Sequence, residues 1–261
     1  MKVACIQLSS GEDYKKNYNQ IIYQINQSIK NKADLIITPE TSSLITSDKN
    51  ILFNNTFKMN DDPLIKKVKE ISKKNKKWIL LGSLPIKDKN KYRNRSIMIN
   101  PKGKIINYYD KIKMFDVKLP NKEQHKESKT YKPGKKLVSV KLPWGRLGLT
   151  ICYDLRFPEI YRNLSKKNLN FISVPSAFTK VTGQKHWLTL LKARAIENFC
   201  YIFAPNHVGK NTRKRETYGH SAIISPDGKI LKIKKNGVGI IYSEIDPKLS
   251  FRLRKIIPSL N

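Results

Sequence analysis

Short apolar runs of strand length recur along this chain, and between them lie stretches in which apolar residues return every three or four positions. That alternation constrains the fold more than any other feature. "KVACIQL" reads as a strand, Tyr14–Lys30 as an amphipathic helix with Ile21, Ile22, Ile25 and Ile29 on one face, and "ADLIITPE" as a second strand. Asp62–Lys74 predicts a helix with a basic outer face, and "KKWILLGSL" the strand after it. "RSIMINPKGKIINYYDK" has strand, Pro-Lys-Gly turn and strand, a hairpin pattern that "SAIISPDGKILKI" repeats around Pro-Asp-Gly. "GRLGLTICYD", a helix over Pro158–Lys167 and "LNFISVP" form a strand-helix-strand unit, followed by a helix over His186–Asn198 and the strand "CYIFAPN". Strands alternating with helices, plus hairpins, predict a layered α/β fold with a mixed sheet or sheets. No linker or internal repeat divides the 261 residues, so a single domain over 1–261 is expected.

Several function classes are disfavoured at once. The longest apolar stretches fall well short of the roughly 18 residues that a membrane span needs. "MKVACIQLSS" starts as a strand and meets Glu12 and Asp13 with no signal-peptide core, so a cytosolic protein is expected. Cys5, Cys152 and Cys200 are too widely spaced for a disulfide framework or a zinc site, and no Gly-rich phosphate loop is present. No metal or cofactor is expected. The net charge of +32 suggests a polyanion partner, but arginine supplies only ten of the 52 basic residues. Lys, Asn and Ile, all abundant here, share AT-rich codons, and the lysines are dispersed rather than gathered with aromatics and arginine. A solvated basic surface is therefore expected, with no nucleic-acid or membrane partner.

Chemistry in α/β folds collects at strand ends. "GLTIC" runs into a turn at Cys152, where backbone N–H groups can stabilise a thiolate and push the thiol pKa down. Cys5 and Cys200 lie inside apolar strands and read as core residues. The nucleophile needs a base. Glu40, after Pro39 at a strand end, is a better candidate than His125, His186, His207 or His220, because partial burial can raise a carboxylate pKa towards a base's working range. Lys111 stands out among the many lysines only by its position directly after "NYYD".

Glu40 in "ITPE", Lys111 in "YYDKIKMFDV" and Cys152 in "GLTICYDLRFPE", in that order, resemble the Glu-Lys-Cys triad of the nitrilase superfamily, the carbon-nitrogen hydrolases. "KESKTYKPG", "PSAFTKVTGQKHW", "LLKARAIEN" and "RETYGHSAIISPDG" are similar to the Nit-type amidases, nearest the branch that acts on deaminated glutathione. The resemblance implies a four-layer αββα sandwich, homodimers or larger assemblies formed through helices and C-terminal segments, and hydrolysis of a linear amide through a Cys152 thioester. It implies that Glu40 is the base, that Lys111 and the Tyr153 N–H are oxyanion donors, and that Glu127 holds the lysine and substrate amide in register. Asp110, Lys113 and Met114 depart from the family pattern and leave the exact substrate open.

A deaminated glutathione substrate carries two carboxylates besides its 2-oxo amide end, so cationic pocket residues are expected. Arg156, Arg213 and Arg215 are the candidates, with His186 beside Trp187 as a possible cap. For Arg156 an ion pair with Asp154 or Glu159 is the competing reading. The competing functions are an ω-amidase acting on 2-oxoglutaramate or 2-oxosuccinamate, another small-amide hydrolase, or a non-catalytic polyanion binder.

Overall fold

The computed structural model describes residues 1–119, 124–213 and 215–260. In chain order, β1 (Lys2–Gln7) is followed by α1 (Tyr14–Lys30), β2 (Leu35–Ile37), α2 (Lys49–Asn54), α3 (Pro63–Asn75), β3 (Trp78–Asp88), β4 (Lys91–Ile99) and β5 (Ile105–Asp110). A small hairpin, β6 (Asp116–Lys118) with β7 (Gln124–Lys126), precedes β8 (Val138–Leu142), β9 (Gly145–Leu149), α4 (Pro158–Ser165), β10 (Phe171–Ser173), α5 (Lys180–Asn198) and β11 (Tyr201–Ala204). Then come β12 (Val208–Thr212), β13 (Arg215–Tyr218), β14 (Ser221–Ile224), β15 (Ile230–Lys234), β16 (Gly239–Glu244) and α6 (Leu249–Ile256).

Two sheets result, ordered β16-β1-β2-β3-β4-β5 and β15-β14-β11-β10-β9-β8. Each has a parallel centre, β1-β2-β3 and β9-β10-β11, flanked by antiparallel neighbours. Side chains alternate across a strand, and that period sorts the apolar residues into two cores. Val3, Cys5, Leu35, Ile37, Leu80 and Met98 pack with Leu147, Leu149, Phe171 and Phe203 of the other sheet. Ala4, Ile6, Ile36, Ile79, Leu81 and Ile97 point the opposite way, onto Ile21 and Ile25 of α1 and Leu64, Ile65 and Val68 of α3. On the second sheet, Ile160 and Leu164 of α4 and Trp187, Leu191 and Ala195 of α5 join the larger core. Helix, sheet, sheet, helix is the expected αββα sandwich. None of the described helices is long and apolar enough to cross a membrane.

Differences from the sequence reading have local causes. Helix α5 begins at Lys180, six residues before the predicted His186, because the first turns carry no apolar period. Gly183 is tolerated there, since Tyr218 packs where a side chain would be: a Cβ would sit 2.4 Å from that residue. Helix α2, the β12–β13 hairpin, β16 and α6 were not anticipated. Their patterns are short or basic, and β16 is ordered by pairing with β1 across the chain.

The C-terminal ends of β2 and β9 meet at a seam between the sheets. Gly82 of β3 marks it: a Cβ there would lie 1.8 Å from the Thr38 carbonyl oxygen and 2.5 Å from Pro175 Cβ. Both obstacles are backbone or ring atoms that cannot swing away. Gly82→Ala is expected to cost about 3 kcal/mol of stability by overpacking, read from urea unfolding midpoints. A loss below about 1 kcal/mol would show that the seam can open without strain.

Candidate active site

Glu40 follows β2 by three residues and is buried. Its Oε1 accepts hydrogen bonds from Lys111 Nζ at 2.8 Å and Asn94 Nδ2 at 2.8 Å, and its Oε2 accepts from the Ala177 N–H at 2.9 Å. Lys111, directly after β5, also reaches Glu127 Oε2 at 2.9 Å and Oε1 at 3.1 Å. Glu127 is held in turn by the Phe115 N–H at 2.7 Å and Asn94 Nδ2 at 3.1 Å. One buried ammonium thus lies between two carboxylates.

Cys152 starts the short helical turn Cys152–Arg156 after β9, and its backbone φ is 44°. That left-handed conformation costs a non-glycine residue about 1–2 kcal/mol, a strain this turn carries to aim the thiol away from the sheet. The Cys152 N–H is anchored on the Pro175 carbonyl at 3.0 Å. Its thiol faces the Glu40 carboxylate. All three residues line a single cavity of about 860 Å³. Cys5 and Cys200 are fully buried in the packed interior and lie outside it.

The electrostatics correct two expectations. Burial by itself would raise the Glu40 carboxyl, but the Lys111 charge and hydrogen bond, the Arg215 charge and the Cys152 thiol together bring it down to about 2, not up towards neutrality. For Cys152, burial and then the Glu40 charge push the thiol up, against the pull of Lys111, so the turn does not yield a resting thiolate. Burial disfavours the Lys111 ammonium, yet Glu127 and Glu40 outweigh it and hold the proton on. The resting site is a carboxylate, an ammonium and a neutral thiol.

Other anticipated residues divide. Arg156 lines the cavity with its guanidinium 5.2 Å over the Phe178 ring and Nη1 3.2 Å from His186 Nδ1. Neither proposed ion pair forms: the Asp154 carboxylate is taken by Ile151, Lys113 and Tyr109, and Glu159 lies 3.6 Å from Lys113. Arg215 lines the cavity but donates Nη2 to the Ala177 carbonyl at 2.8 Å, while its buried Nε has no partner among the described residues. Arg213 is exposed in the turn after β12 and does not line the cavity. His186 and Trp187 separate, the first exposed on α5 and the second buried with its indole N–H on the His220 carbonyl. The Tyr153 ring packs between Phe115 and Phe157. Asp110, Lys113 and Met114 lie outside the cavity lining, Asp110 being paired with Arg95 at 2.6 Å.

Sequence reasoning missed Asn94 and His207. Asn94 bridges both carboxylates, and its only signal was a polar residue amid the alternating strand "KYRNRSIMI". His207 is fully buried with Nε2 2.7 Å from the Glu40 carbonyl oxygen, while its Nδ1 accepts from the Ser10 N–H at 3.3 Å. Burial lowers its pKa to about 4, so it is a neutral donor that fixes the Glu40 backbone.

The sequence pattern of the carbon-nitrogen hydrolase family matches residues 2–255. A deaminated glutathione amidase of Yersinia enterocolitica is 37% identical over 99% of this chain and 91% of its own length. Among solved structures, the Caenorhabditis elegans NitFhit protein superposes with a TM-score of 0.91 at 34% identity, covering 98% of this chain and 63% of that longer one. Saccharomyces cerevisiae Nit3, described as a member of branch 10 of the nitrilase superfamily, gives 0.87 at 28% identity over 99% of this chain and 94% of its own.

The depressed Glu40 pKa is also a stability statement. Its folded value, about 2, lies below the ordinary 4.5. The group therefore contributes stability above pH 4.5 that is lost as pH falls towards 2, on the order of 3 kcal/mol. In urea unfolding across that window, Glu40→Gln is expected to show a flatter pH dependence than the wild type by this amount. Identical slopes would mean that the carboxylate is not held ionised by its neighbours.

Proposed function

The chain belongs to the carbon-nitrogen hydrolase family, and on that premise we propose that it is an amidase whose nucleophile is Cys152, base Glu40 and oxyanion-stabilising cation Lys111. The observation that carries this is the buried Lys111 Nζ, 2.8 Å from Glu40, in the same cavity as the Cys152 thiol.

The thiol sulfur attacks the amide carbonyl carbon as its proton passes to Glu40. Because the resting pair is thiol and carboxylate, transfer and attack occur together rather than through a stored thiolate. Charge developing on the carbonyl oxygen is met by the Lys111 ammonium and the backbone N–H of Tyr153. Loss of one such preorganised donor typically costs about 3 kcal/mol of transition-state stabilisation. Collapse breaks the C–N bond, Glu40 returns the proton to the departing nitrogen, and a thioester remains. Water, deprotonated by Glu40, then attacks the thioester, releasing the acid and restoring the thiol. Glu127 and Asn94 keep Lys111 and Glu40 aligned throughout.

The substrate reading is deaminated glutathione. Apart from the Glu40-Lys111-Glu127 group, the cavity lining carries Lys49, Lys126, Lys129, Arg156 and Arg215 against Asp48, whose carboxylate already caps α2. Such a lining favours an anionic substrate. Arg156, free of a carboxylate partner among the described residues, suits the 2-oxo acid end through a bidentate pair. The amide nitrogen of this substrate belongs to cysteinylglycine, which leaves as a free amine; from 2-oxoglutaramate the leaving group is ammonia. We further assign a homodimer in the cytosol. The first is supported by exposed Ile196, Ile256 and Ile257 near the ends of α5 and α6, the second by three unpaired cysteines.

Parallel assays of cysteinylglycine release from deaminated glutathione and ammonia release from 2-oxoglutaramate test the reading. Turnover is expected to favour the first, to vanish in Cys152→Ala with the fold intact, and to persist in Cys5→Ala and Cys200→Ala. Preference for the primary amide would make the protein an ω-amidase. Turnover surviving in Cys152→Ala would sink the mechanism.

A further inference from the structure

Asp154 is fully buried, lies two residues after Cys152 and is unused by the chemistry above. Among the described residues its carboxylate accepts hydrogen bonds only from neutral donors. Oδ2 accepts from the Ile151 N–H at 2.9 Å and the Tyr109 hydroxyl at 2.8 Å, and Oδ1 accepts from the Lys113 N–H at 3.0 Å. Ile151 immediately precedes the nucleophile, while Tyr109 and Lys113 bracket Lys111 two residues to either side. A single carboxylate therefore ties the turn that carries the thiol to the segment that carries the ammonium, over 41 and 45 residues of chain.

Resting on the amidase reading of this site, we propose that Asp154 is a positioning residue: its ionised carboxylate holds Cys152 and Lys111 in register, and protonating it uncouples them. The Lys113 N–H needs an acceptor at Oδ1, which a protonated carboxyl supplies poorly when its own hydrogen occupies that side. Released, the segment after β5 no longer fixes the ammonium against the site of the developing oxyanion. Misplacement on the scale of about 1 Å is enough to cost a large factor in rate.

The surroundings put this switch in a useful pH range. Burial pushes the Asp154 carboxyl up, and the Ile151 and Lys113 N–H groups, the Lys111 charge and the Tyr109 hydroxyl bring it part of the way back, to about 6. Facing it are Tyr109 of β5, Lys111 and Lys113 after β5, and Tyr161 of α4; Arg194 of α5 lies over the Tyr161 ring, donates to the Leu155 carbonyl and pairs with Glu197. Glu40 stays ionised down to about 2, and Lys111 and Cys152 titrate far above neutrality, so the proposed catalytic groups themselves stay in one state around pH 6. The sign for stability is opposite to that for activity. A folded pKa raised from 3.8 to about 6 means that stability is fully present below the ordinary value and falls as pH rises through 6, so the ionised group is retained at a cost in folding.

Asp154→Asn separates the two roles. The amide oxygen can still accept from Ile151 and Tyr109, but its NH2 faces the Lys113 N–H, donor against donor. Two rates are read between about pH 4.5 and 8.5: kcat for amide turnover, and alkylation of Cys152 by iodoacetamide, followed by mass spectrometry of its peptide. The wild type is expected to lose both rates below an apparent pKa near 6. Asp154→Asn is expected to be about tenfold or more slower at neutral pH, without that limb and with a thermal midpoint equal to or above the wild type. Tyr109→Phe, which removes a donor to the ionised form, should move the limb to higher pH with KM unchanged, and His186→Gln should leave the limb where it is. A limb that survives in Asp154→Asn, or a rate loss that tracks a lowered melting temperature, would overturn the proposal. Alkylation needs no substrate assignment, so a protein silent towards both amides but showing the limb keeps this inference and loses the substrate reading.

Discussion

Everything in the cavity depends on burying one ammonium. Taking Lys111 out of water is affordable only because two carboxylates, Glu40 and Glu127, meet it within 3.1 Å and accept its hydrogen bonds. The ammonium and its two partners come from three separate stretches of chain, so the ion cluster joins the end of β2, the end of β5 and the segment after β7. The attraction that offsets the desolvation cost also holds Glu40 ionised, and burial together with that Glu40 charge keeps the neighbouring thiol neutral against the pull of Lys111.

That balance explains which parts of the site were legible in the sequence. Glu40, Lys111 and Cys152 stand out because each terminates an apolar strand in a turn, and strand ends are a local pattern. The protonation states were not legible. Partial burial of a glutamate and a helical turn beneath a cysteine are each sound local arguments, but the first is reversed by the Lys111 charge, contributed from 71 residues away, and the second by full burial of the thiol and then by the Glu40 charge. Asn94 and His207 were missed for a related reason. They act on Glu40 from 54 and 167 residues away, and their own neighbourhoods offer at most a polar residue within a strand pattern.

The fold shows the same division. Strands β1 to β4 were readable as apolar runs of strand length, and helices α1 and α3 because their apolar residues return with the 3.6-residue helical period. Strand β16 and the β12–β13 hairpin were not, since their half-buried patterns acquire meaning only against β1 and against Phe178 and Thr179. Arg215 illustrates the limit at a single side chain. Its charge suggested a substrate ligand, yet one arm is occupied by the Ala177 carbonyl, and its electrostatic effect falls on Glu40.

The stretch Pro175–Phe178 touches each partner in turn: the Cys152 N–H at Pro175, Glu40 at the Ala177 N–H, Arg215 at the Ala177 carbonyl, and Gly82 across the seam. These contacts lie in the interior, at the strand ends that line the cavity, while most of the 52 basic residues lie on the outside. Drift in nucleotide composition can therefore rewrite the solvent-facing shell, lysine by lysine, without altering any contact that aligns the Cys152 thiol with the Glu40 carboxylate. An extreme surface charge and a tightly held interior ion cluster can coexist in one chain, because the two are recorded in different layers of the same molecule.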